Sequence, residues 1–189
     1  FVDMIMATNV KQRKEVLKKL GQLQKSDFIQ ILKAMEGYKV TIRLLDPPLH
    51  EFLPNPEELM ARIYKNKKGE NLSETKKVLE RAKELAEINP MMGHRGVRVG
   101  ITYPEIYRMQ ITAVFEAAVD LAKKKINAKP QIMIPQVGSI AELNNIKDIY
   151  DEVKSEIQKK YKMRLNINFG TMLEVVRACL TSGELAKTA

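Results

Sequence analysis

The residues of this chain best suited to chemistry are two arginines and a glutamate. Arg43 lies in TIRLLDPPLHEFLP (residues 41–54), Arg95 in NPMMGHRGVRVGITYP (89–104) and Glu174 in GTMLEVVRACL (170–180). Each sits beside a tight turn marked by glycine or proline. Guanidinium forks grip phosphate and carboxylate groups bidentately, and a carboxylate placed among them suits a magnesium ion. These are the groups that phosphoryl transfer uses, provided the fold brings them together. Arg43 raises the question most sharply. On a strand it points away from its apolar neighbours Ile42 and Leu44. A cation there needs an anion, either internal, from Asp46 or Glu51, or carried in by a ligand. The local sequence leaves both open.

The elements that position these residues follow from periodicity and punctuation. Val40–Leu45 reads as a strand that Pro47-Pro48 cannot continue. Before it, Thr8 caps a helix that Gly21 stops, and Ser26 caps a second with Phe28, Ile31, Leu32 and Met35 on one face. Asn55-Pro56 reads as N-cap and first helical residue for Glu57–Tyr64. Lys65–Asn71 is a polar loop, and Ser73 opens another helix. Within 89–104 the strand candidate is Val97–Ile101. Pro104 starts a long helix to about Lys125. Gln131–Val137 is a strand, and Ser139 with Glu142 forms a capping box for a helix to about Tyr161. Arg164–Phe169 alternates as a strand, and Gly170-Thr171 turns it into a final helix containing Glu174 and Arg177.

Strands alternating with long helices indicate a parallel α/β sheet. About four strand–helix units are present, near half of an eight-unit barrel, which takes about 250 residues. The expected fold is therefore α/β, a partial (β/α)8 TIM-type barrel truncated at both ends, with residues 1–189 forming one domain. In such a barrel every strand's carboxyl end faces the same mouth, so Arg43, Arg95 and Glu174 would gather there. The chain opens on Phe1 and closes at Ala189, which reads as two cuts through a larger protein.

Composition narrows the class further. An apolar fraction of 44% and a charged fraction of 29% suit a globular protein. No apolar run approaches the roughly 18 residues that span a bilayer, and no signal-peptide pattern opens the chain, so no membrane partner is expected. The single cysteine, Cys179, excludes an internal disulfide and fits a reducing, cytoplasmic setting. The net charge of +9 is spread over basic pairs mixed with glutamates, without a groove-reading or base-stacking motif, so no nucleic-acid partner is expected either.

Taken in order, TIRLLDPPLHEFLP, NPMMGHRGVRVGITYPEI, PQIMIPQVG and GTMLEVVRACL resemble the carboxyl-terminal pyruvate/phosphoenolpyruvate-binding barrel of the pyruvate, phosphate dikinase family, within the phosphoenolpyruvate-utilising enzymes. The DPPLHEF run separates that family from phosphoenolpyruvate synthase and enzyme I of the sugar phosphotransferase system. The resemblance implies interconversion of ATP, phosphate and pyruvate with AMP, diphosphate and phosphoenolpyruvate. A phosphohistidine domain would bring the phosphoryl group to the barrel. Arg43 and Arg95 would hold the phosphoryl group and the enolate charge, and Glu174 would bind substrate and ligate magnesium. It also implies a homodimer. The family's second magnesium carboxylate and its catalytic cysteine and histidine lie outside this chain, so the chain alone is expected to be inactive. Val176 stands where the family has proline, and Gln136 where it has leucine. The alternatives are a shortened, non-catalytic homologue that binds phosphoenolpyruvate or a partner protein, or another phosphoenolpyruvate-utilising enzyme.

Other residues have plainer readings. Cys179 is expected to be a small buried thiol. His94 satisfies a loop carbonyl, and His50 has a local structural role. Asp46 orients Arg43, and Arg177 pairs with Glu174 at i+3.

Overall fold

The computed structural model describes residues 1–65 and 72–189, so most of the expected polar loop Lys65–Asn71 lies outside the described residues. Three strands, β1 (Lys39–Arg43), β2 (Lys129–Ile134) and β3 (Asn168–Thr171), form one parallel sheet in the order β1-β2-β3. Arg43 lies opposite Met133, Met133 opposite Gly170, and Ile134 opposite Thr171. Partnered residues share a face of the sheet. Thr41, Arg43, Gln131, Met133, Asn168 and Gly170 therefore line one face, and none of them is buried. The opposite face presents Ile132 and Ile134, both fully buried. It packs on helices α6 (Pro104–Lys123) and α7 (Ile140–Tyr161), where Val114, Phe115, Ile146 and Tyr150 belong to the same apolar cluster. The protein is thus a mixed α/β chain, mostly helical, with a small parallel sheet covered on one side.

The remaining helices are α1 (Val2–Met6), α2 (Val10–Ala34), α3 (Pro56–Lys65), α4 (Leu72–Glu84), α5 (Val97–Thr102), α8 (Val176–Leu180) and α9 (Ser182–Leu185). Two sequence expectations hold in detail. Asn55 Oδ1 accepts the Glu57 N–H at the start of α3. Ser139 and Glu142 make the reciprocal capping box of α7.

Several expectations are corrected. The two helices expected around Gly21 and Ser26 are a single one, α2, capped by Asn9 rather than Thr8. Gly21 does not stop it. Its missing side chain admits α6, since a Cβ there would stand 3.1 Å from Met109 Cγ. The segment Val97–Ile101, read as a strand, is helical as α5, which removes one of the four expected strand–helix units. Its apolar residues suit either element, and periodicity cannot separate a short buried helix from a buried strand. Strand β3 is Asn168–Thr171 rather than Arg164–Phe169. The last helix begins after Glu174, at Val176, so Glu174 sits on the connecting loop.

Polar side chains on α6 fix the exit of β1. The Leu45 N–H donates to Gln110 Oε1 at 2.8 Å, and the Tyr107 hydroxyl donates to the Leu45 carbonyl at 2.9 Å. Both α6 residues are buried. Burial, and secondarily the charge of Asp46, raises the Tyr107 hydroxyl well above its ordinary ionisation range. Tyr107→Phe leaves the Leu45 carbonyl without that donor and is expected to cost about 1–3 kcal/mol by thermal or denaturant unfolding. The sign of the pH effect follows from the neutral phenol being favoured in the folded state. Its contribution is full below about pH 10, the ordinary tyrosine value, and is lost as pH rises toward the raised folded value. The variant should therefore lose less stability than the parent on alkaline titration.

Candidate functional site

The carboxyl ends of the three strands are laced together by the loops that leave them. The Gly96 N–H donates to the Asp46 carbonyl at 3.0 Å, just beyond β1. The Val97 N–H donates to the Pro135 carbonyl at 3.1 Å, just beyond β2. The Met172 N–H reaches the Ile134 carbonyl at 3.0 Å, tying β3 to β2. The start of α5 is thereby plugged into the ends of two strands, and Arg95, two residues before it, is delivered to the same rim as Arg43.

Asp46 is where the two arginines meet. Its side chain is only 4% exposed, and one oxygen, Oδ2, lies 2.8 Å from Arg95 Nη2 and 3.3 Å from Arg43 Nη1. The internal anion for Arg43 is therefore Asp46, not Glu51. The two arginines are held differently. Arg95, 18% exposed, also donates through Nε to the Asp46 carbonyl at 3.3 Å and through Nη1 to the Pro90 carbonyl at 3.4 Å. Arg43 is 50% exposed, and Asp46 is its one ion-pair partner among the described residues. The other Asp46 oxygen, Oδ1, is buried without a hydrogen-bond partner.

Glu174 reaches the same rim from the loop after β3. Its Oε1 accepts the Gln136 N–H at 2.8 Å. Gln136 has a left-handed backbone, with φ of 61°, which turns that N–H toward Glu174. Its side chain lies against Gly96, where a Cβ would come within 2.7 Å of Gln136 Cβ. Glu174, Gln136, Gly96 and Arg95 thus form a continuous set of neighbours. The carboxylate itself is exposed. No ion pair joins it to Arg177, contrary to expectation, because Glu174 precedes the helix that the i+3 spacing presumed.

The other polar residues near these motifs have varied surroundings. His94 shares a hydrogen bond with the Thr102 hydroxyl at 3.0 Å, rather than with a loop carbonyl, and its ring tilts against Tyr103. Arg98 braces the loop by donating to the Met92 and Gly93 carbonyls at 3.1 and 2.9 Å. His50 lies in a short 3-10 turn, Leu49–Phe52, with Nδ1 buried and unpartnered. Cys179 is exposed, not a core thiol, with Sγ 3.7 Å from the Leu173 carbonyl.

Sequence reasoning missed Tyr107 and Gln110, whose signal was two polar groups, spaced i and i+3, on the otherwise apolar face of α6. It also missed Arg13, which pairs with Glu105 at 2.6 Å and lies 4.5 Å from the Tyr103 ring centre. Grooves of about 620 and 790 Å³ lie along α2 and the start of α6, lined by Lys14, Arg108 and Glu105 rather than by the arginine pair. The rim with Arg43, Arg95 and Glu174 lies at the carboxyl ends of the strands, outside these two grooves. No group of three or more histidine, cysteine, aspartate or glutamate side chains able to hold a metal occurs among the described residues. No helix among them is long and apolar enough to cross a membrane.

Comparison with known proteins adds the family. The chain is 49% identical to a pyruvate, phosphate dikinase of Entamoeba histolytica over 192 residues, covering 100% of this chain and 22% of that protein. It is 45% identical to the pyruvate, phosphate dikinase of Clostridium symbiosum, covering 98% of this chain and 21% of the relative. It is 42% identical to the chloroplastic pyruvate, phosphate dikinase 1 of Arabidopsis thaliana, over 98% of this chain and 19% of the relative. The chain therefore spans about a fifth of the length of these curated relatives. A family model described as "PEP-utilising enzyme, PEP-binding domain" matches residues 3–189, and the chain belongs to that family.

Proposed function

We propose that this chain is the pyruvate/phosphoenolpyruvate-binding portion of a pyruvate, phosphate dikinase. The protein so read moves a phosphoryl group from a phosphohistidine to the enolate oxygen of pyruvate, within the reversible conversion of ATP, pyruvate and phosphate to AMP, phosphoenolpyruvate and diphosphate. The observation that carries this reading is the convergence of Arg43 and Arg95 on one oxygen of Asp46, with Glu174 on the same rim. Two guanidinium groups so close neutralise the charge of a phosphoryl group and of an adjacent enolate. The sheet face that carries Arg43 is open while the other is packed on helices, which supports residues 1–189 as one domain forming an arc of a (β/α)8 barrel.

Glu174 fits one ligand position of a magnesium ion. Its exposed carboxylate keeps one oxygen, Oε2, free of the Gln136 contact, and magnesium usually takes one or two carboxylates plus phosphate oxygens and water. When bound, the ion would supply further neutralisation of phosphoryl charge. Arg43 and Arg95 bind and orient the anion, and Gln136 aims the carboxylate. A phosphohistidine domain, a homodimeric assembly and a cytoplasmic setting complete the reading, with neither nucleic acid nor membrane as a partner.

Calorimetric titration with phosphoenolpyruvate in the presence of magnesium tests the reading. Saturable binding is expected, weakened about ten- to a hundredfold in Arg43→Ala, the loss typical of a charged hydrogen-bond partner. Because Arg43 is half-exposed, the same variant should unfold within about 1 kcal/mol of the parent. Affinity unchanged by Arg43→Ala would refute the assignment of this rim.

A further inference from the structure

The rim holds one charged group that anion binding does not call for. Asp46 already contacts both arginines that a ligand would need, offsetting one of their two charges, and it does so unequally. Arg95 is tied to Asp46 twice, through Nη2 to the carboxylate and through Nε to the carbonyl. Arg43 has one contact, at 3.3 Å, to the same oxygen. Asp46 cannot follow Arg43 outward. Its backbone is held by the Gly96 N–H, and the preceding Leu45 is pinned at both its N–H and its carbonyl by Gln110 and Tyr107.

We propose that Asp46 is a specificity-determining counter-ion, which keeps Arg95 as a fixed cation and holds Arg43 only until a ligand takes it. The inference rests on the anion-binding reading above. When Arg43 turns to a ligand, Asp46 stays compensated by Arg95, so no unpaired charge is left buried. The ligand, however, binds close to a buried carboxylate that repels it. A small anion gripping Arg43 alone gains little over the internal partner it displaces. A larger anion, with a phosphoryl group and a second acidic group, engages both guanidinium groups and overcomes the repulsion. Asp46 thereby discriminates against free phosphate at a site built for a phosphorylated acid.

Asp46→Asn tests this, because the amide keeps the shape and one acceptor for Arg95 while removing the competing charge. The probes are inorganic phosphate and phosphoenolpyruvate, titrated calorimetrically into parent and variant. The expected result is phosphate binding strengthened about tenfold or more in D46N, phosphoenolpyruvate changed less, and the ratio of the two affinities narrowed by about tenfold. A folded D46N whose ratio is unchanged or wider overturns this inference alone. Parent protein that binds neither anion overturns the anion-site reading and this inference with it. Should D46N fail to fold, side-chain NMR of arginine-labelled parent decides. On adding phosphoenolpyruvate both arginines should shift, but the Arg43 guanidinium should change its exchange with solvent while the Arg95 Nε–H, still bonded to the Asp46 carbonyl, keeps its exchange rate. An exchange rate that changes equally at both, or at neither, overturns the division into a fixed and a releasable cation.

Discussion

Arg95→Ala should destabilise the protein by about 3 kcal/mol or more and abolish measurable phosphoenolpyruvate binding. The stability loss comes from Asp46, not from the arginine itself. Asp46 is almost wholly buried, and removing its principal partner leaves a carboxylate with one half-exposed cation 3.3 Å away. Breaking a buried pair from one side typically costs 3–5 kcal/mol, whereas exposed pairs contribute less than about 1 kcal/mol. Arg43 supplies part of the compensation, which places the expectation at the lower end. For a chain of this length, that loss lowers the melting temperature by about 6–12 °C. The double variant Arg95→Ala with Asp46→Asn should recover much of the stability without recovering binding. Thermal unfolding of both variants, with titration of the double variant, checks each half. A single variant as stable as the parent would mean that Asp46 does not depend on Arg95.

The second large effect is expected at Gly96. Its backbone has φ of 55° and ψ of −132°, a conformation that side-chain-bearing residues enter only under strain. A Cβ there would also stand 2.7 Å from Gln136 Cβ and 3.1 Å from the Pro135 carbonyl oxygen. The first of these is an impossible approach, and the second is to backbone that β2 holds in place. Gly96→Ala therefore combines strain of about 1–3 kcal/mol with overpacking of similar size. A net loss of about 3 kcal/mol is expected by denaturant unfolding. Ligand affinity should fall as well, because the Gly96 N–H anchors the Asp46 carbonyl beside Arg95. Normal stability in this variant would show that the turn relaxes freely.

Much of this arrangement is legible in the residues alone. Pro47-Pro48 bars β1 from continuing, although the strand ends at Arg43, two residues before the expected Leu45, and Asp46 was nameable as a partner for Arg43 from the strand's need of an anion. The capping box at Ser139 and Glu142 and the N-cap at Asn55 follow from rules that act within a few residues. The misreadings have one physical origin: tertiary packing outweighs local pattern. Gly21 looks like a helix stop until Met109 packs against it. Val97, Val99 and Ile101 alternate with Arg98, Gly100 and Thr102 as a strand would, but the carbonyls of Asp46 and Pro135, just beyond β1 and β2, accept the Gly96 and Val97 N–H groups and start a helix there. The pairing of Arg95 with Asp46, and the bracing of Leu45 by Tyr107 and Gln110, join residues far apart along the chain. No short-range rule reaches them.

The central claim is that Arg43, Arg95 and Glu174 serve one bound anion. Amide and arginine side-chain NMR during titration with phosphoenolpyruvate and magnesium reads this directly. The account predicts saturable shifts with a common affinity at the Arg43 guanidinium and at the Gly96 and Gln136 amides, the last reporting on Glu174. Shifts confined to the lysines along α2, or separate affinities at the arginines and at Gln136, would contradict it.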